Sequence, residues 1–159
     1  LDVRQTSDGE LANGLAAAGL FVPAGATVAM KTTREVPKAP VKNSTPGETI
    51  ALPAVVLTDF GTAGPAELFA AALAGNDRAK IVGEHTVGRV GVQKLVKLPQ
   101  GYGIWLTYST FATPKGEVIH EKGLPPTVAV EVPELEFGKP PDPAAKDLIL
   151  DKAIEVLGA

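Results

Sequence analysis

The chain has 159 residues, 45% hydrophobic and 21% charged, enough for one domain with a substantial core and cramped for two. A formal net charge of −3 without a basic run supplies no broad positive field, so nucleic acid and anionic membranes are not expected partners. The absence of cysteine excludes disulfides, thiol redox chemistry and thiolate zinc sites, and leaves the compartment open.

The chain opens on Leu1-Asp2-Val3-Arg4, which reads as the end of a strand, and it is expected to be a piece of a longer precursor. A helix is expected over residues 10–20, with Leu11, Leu15 and Ala18 at helical spacing. Residues 32–49, rich in Lys, Pro, Asn and Ser, read as a mobile surface loop acting as a connector. The mostly apolar run 51–58 has the character of a strand buried on both faces, hence of a covered sheet. The helix that follows is well punctuated: Pro65 suits its first position, Glu67 its first turn, and Gly75 the position just past its end. Strands are expected at 80–83, 91–98 and 104–111, the last two joined by the turn 100–103. After Gly123-Leu124-Pro125-Pro126 a short edge strand is expected at 128–130. A proline-rich link, 138–143, then leads to a closing helix, 144–157, whose apolar face is Leu150, Ala153, Ile154 and Leu157. Strands interleaved with helices imply an α/β layered domain covering the whole chain. The apolar runs 50–57 and 68–74 are too short to span a bilayer, and no signal peptide is seen.

Four segments together carry a resemblance: Leu1 to Arg4 with Gly9 and the helix up to Phe21; Gly61 to Glu67; Gly83-Glu84 through Gln93; and Gly123-Leu124-Pro125-Pro126 before the valine-rich strand. In these the chain resembles the C-terminal processing peptidases, or tail-specific proteases, which are serine/lysine-dyad enzymes. The resemblance implies a crotonase-like layered protease core, without the family's peptide-binding PDZ module. It also implies an exported, bacterial, periplasmic or extracytoplasmic protein whose partner is an extended peptide or a protein C-terminus, with no cofactor.

In that family the nucleophilic serine stands three residues before the glutamate corresponding to Glu67, a position held here by Gly64, which has nothing to attack with. The family's lysine base corresponds to Arg89, in Gly88-Arg89-Val90, and arginine keeps its proton at any relevant pH. The residue after the nucleophile normally gives its N–H to the oxyanion hole. Here it is Pro65, which has none, and losing one such donor typically costs roughly 10²–10³ in rate. The other oxyanion contribution falls on Asp8-Gly9, where a carboxylate is the wrong charge. Gln93 matches a glutamine that assists the lysine. The resemblance therefore implies a non-catalytic member of the family, binding a peptide or serving as a scaffold.

Two other readings stay open. One is an active serine-type endopeptidase acting on protein C-termini, with Thr62 as the nearest substitute hydroxyl. The other is a carrier of a small hydrophobic ligand in a pocket built from Phe60, Phe69 and Trp105. His85 and His120, thirty-five positions apart with no thiolate, read as surface histidines, so no metal site is expected. Glu134 and Glu136 read as solvent-facing, and Trp105 and Tyr108 as core residues of a strand.

Overall fold

The computed structural model describes residues 1–133 and 146–158. Its centre is a small parallel sheet of β3 (Val55–Thr58), β4 (Lys80–Gly83) and β7 (Val128–Ala129), in the order β3-β4-β7. The N-terminal segment runs beside β3 through a parallel bridge between Asp2 and Leu57. There the Leu57 N–H donates to the Leu1 carbonyl at 2.9 Å. All four residues of β3 are buried, and the two-residue period of a strand divides them between two layers. Val56 and Ile81 join the main core with Leu68 and Leu73, whereas Val55, Leu57 and Val82 form a second cluster with Ile149 and Ala153.

The helices explain that division. α1 (Leu11–Ala18) and α2 (Pro65–Gly75) pack on the side of Val56, and α3 (Leu148–Leu157) covers the opposite side. α1 and α2 approach so closely that a β-carbon on Gly14 would overlap the Pro65 carbonyl. The parallel sheet is therefore clad on both faces, the condition that its continuous apolar strands require. The side of the core nearer α1 and α2 is closed by an antiparallel sheet of β1 (Thr27–Thr33), β2 (Ala39–Lys42), β5 (Gly91–Lys97) and β6 (Gly103–Ala112), ordered β2-β1-β6-β5. The α/β layered architecture expected from the sequence is the observed one.

Several expectations are corrected. The segment 32–49 is not a plain loop, because it contains the end of β1 and all of β2. β2 is an edge strand holding Pro40, with no fully buried residue, so it lacks the apolar alternation by which a strand is recognised. The inward face of α3 is Ile149 and Ala153 with Val156 against them, while Leu150, Ile154 and Leu157 are exposed, a shift of one position along the helix. α3 starts at Leu148, where the Asp147 carboxylate accepts the Leu150 N–H at 3.0 Å. The link 138–143, the acidic pair Glu134 and Glu136, and the first two residues of the expected closing helix lie outside the described residues. Trp105 and Tyr108 are not core: β5 and β6 extend beyond the helices as a hairpin, and Trp105 is 64% exposed. Nor does a ligand pocket combine Phe60, Phe69 and Trp105, since Phe60 is 67% exposed and Phe69 is buried edge-on against Phe21.

Candidate functional site

At its C-terminal end β3 runs into a turn fastened by Asp59. The carboxylate accepts the N–H of Gln5 at 3.0 Å, the N–H of Gly61 at 2.9 Å and the Thr62 hydroxyl at 3.0 Å. That hydroxyl also reaches the Val3 carbonyl at 3.1 Å and accepts the Asp59 N–H, and Thr62 is 0% exposed. Its proton is shared between two protein acceptors and no substrate can reach its oxygen, so Thr62 is a fastening of the turn and not a substitute nucleophile. Glu84, at the end of the neighbouring β4, has its pKa raised, first by burial and then by the Asp59 charge.

Gly64 follows, with φ 59° and ψ −117°, a conformation that strains any residue bearing a β-carbon. Space is not the obstacle there. A β-carbon would meet only the Arg89 carbonyl oxygen at 3.6 Å and Leu11 Cδ2 at 3.8 Å, both ordinary contacts. Pro65 then opens α2, where its fixed φ suits a helix start and its missing N–H costs nothing.

Glu67 ties this turn to the next. Its side chain is 0% exposed, and its carboxylate accepts the N–H of Gly64 at 2.8 Å, of Gly88 at 2.5 Å and of Arg89 at 2.8 Å, together with the Thr86 hydroxyl. Gly88 has φ 87°, and a β-carbon on it would lie 2.5 Å from the Gly123 nitrogen and 2.9 Å from the Ile119 carbonyl, so only glycine fits. One buried carboxylate thus fixes the spacing between the Gly64 turn and the backbone of Arg89, whose side chain remains exposed.

The remaining candidate residues converge from elsewhere. A β-carbon on Gly9 would stand 3.6 Å from Pro65 Cγ, while the Gly9 N–H donates to its neighbour's carboxylate, Asp8 Oδ1, at 2.7 Å. Gln93 lies exposed near the start of β5 and donates to Thr107 Oγ1 at 3.3 Å. Between α1 and the antiparallel sheet runs a groove of about 630 Å³, lined among others by Gly9, Leu11, Leu15, Lys31, Gln93 and Phe111. Leu11 belongs both to this groove and to the surroundings of Gly64, so the groove opens beside the helix start.

Two participants escape sequence reasoning. Two of the three backbone partners of Glu67 lie 21 and 22 residues away, and Lys31 lies in a strand that the sequence pattern does not disclose. His85 keeps its Nδ1 3.0 Å from the Thr86 carbonyl and His120 lies 3.9 Å from Glu121. Among the described residues no cluster of three metal-ligating side chains occurs.

Comparison with known proteins gives a consistent picture. Residues 1–130 match the model of Peptidase family S41. The chain is 35% identical over 160 residues to the carboxyl-terminal-processing protease of Synechocystis, covering 99% of this chain and 36% of that protein. Against the solved photosystem II D1 C-terminal processing protease it superposes with a TM-score of 0.71 at 29% identity, covering 100% of this chain and 38% of that one. A structure from Parabacteroides merdae gives a TM-score of 0.80 at 20% identity, with 99% of this chain and 51% of that one covered, which speaks to the fold alone. The chain therefore spans about a third of the length of the curated relative it matches.

Proposed function

This chain belongs to peptidase family S41, among the C-terminal processing peptidases, and from that premise we propose that it is a non-catalytic member that binds an extended peptide. The observation that carries the proposal is the helix start. Gly64 occupies the family's nucleophile position with space for a side chain, whose β-carbon would meet only ordinary contacts, yet it has none. Its neighbours support the same reading. Pro65 supplies no N–H, the Gly9 N–H is taken by the Asp8 carboxylate, and an arginine stands in the base position where the family has lysine. What is left is a groove and a sheet edge that is unpaired among the described residues. β5 is the outer strand of its sheet, so its outward backbone groups are open to a peptide added in extended form.

The active-enzyme alternative gains nothing from Thr62, whose hydroxyl is buried and engaged, and the carrier alternative loses its pocket. An exported location forms part of the same proposal by family membership, and cell fractionation of the native producer would test it.

The direct test is to incubate the purified domain with unfolded protein and with peptides ending in apolar residues, and separately with a labelled fluorophosphonate. No turnover above buffer and no labelling are expected. Turnover or labelling that survives further purification and vanishes in Thr62→Ala would replace this reading with an active peptidase.

A further inference from the structure

The turn before α1 holds the chain's only Asp-Gly pair, Asp8-Gly9. Both residues are exposed and belong to no helix or strand. The Gly9 N–H donates to Asp8 Oδ1 at 2.7 Å, which sets the amide nitrogen of one residue against the side-chain carboxyl of the residue before it. Cγ, the carbon that an amide nitrogen would attack, is one bond from that oxygen. Nothing crowds the approach, because Gly9 has no β-carbon and one placed there would meet only Pro65 Cγ, at 3.6 Å. Its φ of 113° is open to glycine, so the turn can adjust as a ring closes.

Other positions that could close such a ring are held. In Asn13-Gly14 the glycine is buried inside α1, where a β-carbon would overlap the Pro65 carbonyl, so ring closure would break a packed helix. Asp59 is 8% exposed, and its carboxylate already accepts from Gln5, Gly61 and Thr62. Arg4 engages both Asp2 and Asp147. The N–H that follows Asp77 donates to the Leu73 carbonyl at 2.9 Å, and Asp151 lies within α3.

We infer that Asp8-Gly9 is a site of covalent modification, at which the aspartyl linkage isomerises to the isoaspartyl form through a cyclic imide. The Gly9 nitrogen bonds to Asp8 Cγ, the Cγ–OH bond of the protonated acid breaks, and the N–H proton leaves with that hydroxyl as water. Water then adds back at one of the two ring carbonyls. Opening at Cγ restores aspartate. Opening at the main-chain carbonyl leaves Gly9 joined through Cγ, with the free carboxylate on Cα. Composition is unchanged, and no oxidant or cofactor takes part. The product carries an extra methylene in its main chain and lacks the side-chain oxygen that the Gly9 N–H now meets. Because Gly9 lines the groove and adjoins Pro65, the change falls on the candidate site, and it makes the chain a substrate for an isoaspartyl methyltransferase. None of this depends on whether the groove binds a peptide.

The test holds the folded wild-type chain for weeks in warm, mildly acidic buffer, since ring closure expels water from the protonated acid. Samples are then treated with an isoaspartyl methyltransferase and tritiated S-adenosylmethionine, and the labelled peptide is located by mass spectrometry. Label is expected on the peptide carrying Asp8 ahead of every other aspartate or asparagine. Asp8→Glu should lose that label, because the longer side chain must close a larger and slower ring. Asp8→Asn closes the same ring by losing ammonia and should gain label together with the mass of deamidation. The wild-type measurement needs no variant to fold. An unlabelled wild-type chain, label arriving first at Asn13 or at another aspartate, or label that persists in Asp8→Glu would each overturn the inference. So would an Asp8→Asn chain that keeps its amide, since the Gly9 nitrogen would then not reach Cγ.

Discussion

The Glu67 carboxylate meets donors that have no other evident acceptor: a helix-start N–H, two N–H groups of a glycine turn and a threonine hydroxyl. Removing it would orphan all of them in a buried space, and each unmet donor costs about 1–3 kcal/mol. Glu67→Ala is therefore expected to lose about 3 kcal/mol or more in urea denaturation. An equally stable variant would show that water replaces the carboxylate. The neighbouring glycines should separate by mechanism. Gly88→Ala collides with backbone and is expected not to fold, whereas Gly64→Ser meets only ordinary contacts and bears the strain of a positive φ, about 1–3 kcal/mol. At this scale the sequence discloses identity and spacing: the distance from Gly64 to Glu67, and the glycine before Arg89, are visible without coordinates. Hydrogen-bond partners are not, because Gly88 and Arg89 come to Glu67 through the fold, and a glutamate in the first turn of a helix ordinarily signals only a favourable dipole interaction.

α3 shows how an element can be foreseen while its orientation is missed. The run 148–157 offers apolar residues on adjoining stripes, and both Leu150 with Ile154 and Ile149 with Ala153 satisfy helical spacing. Packing on β3 and β4 selects the second pair. Ile149→Ala should accordingly cost about 2–4 kcal/mol by denaturant unfolding, and Leu150→Ala within about 0.5 kcal/mol. The reverse order would restore the face read from the sequence. The same contrast applies to the β5–β6 hairpin. Trp105→Ser should leave the melting temperature nearly unchanged, because the indole is exposed. The start of α3 is also tied to the N-terminal segment, with Arg4 donating to Asp2 at 2.7 Å and to Asp147 at 2.8 Å. These hydrogen bonds from Arg4 are the first cause of the lowered pKa of both aspartates. Carboxylates with depressed folded pKa values stabilise above the ordinary value of about 4, and lose that contribution as pH falls through the folded values. Asp147→Asn should flatten the acid limb of a plot of melting temperature against pH. Glu84 has the opposite sign: its raised pKa favours the fold below the ordinary carboxylate range, and the benefit is lost as pH rises through the folded value. Glu84→Gln is therefore expected to raise the melting temperature at neutral pH. Strands such as β4 are legible because their apolar runs are continuous. The β1–β2 hairpin is not, since an edge strand with exposed polar residues has the composition of a loop.

Across the whole molecule, the candidate site is assembled from three stretches that the fold brings together: the Asp8-Gly9 turn before α1, the start of α2, and the Gly88-Arg89 turn leading to β5. That assembly is why the layered architecture could be inferred from motif order, while the groove with Lys31 on its sheet wall could not. The groove lies between elements that are not neighbours in sequence. It also determines how repair should proceed on the proposed mapping. Gly64→Ser with Arg89→Lys returns a hydroxyl and a titratable amine, yet both oxyanion donors stay silent: Pro65 has no N–H, and that of Gly9 is occupied by Asp8. Adding Pro65→Ala frees one donor at little cost to the helix, because alanine is a strong helix former, and weak hydrolysis should first appear in this triple variant. Adding Asp8→Gly releases the second N–H and removes the opposing charge. By the usual worth of one oxyanion donor, it should raise the rate by roughly another 10²-fold. A single-turnover assay with an activated ester, run on the double, triple and quadruple variants at matched stability, would check the ladder. Equal rates for the double and triple variants would mean that the N–H after position 64 does not point at the reacting oxygen, and the correspondence of Pro65 with the family's donor would be lost.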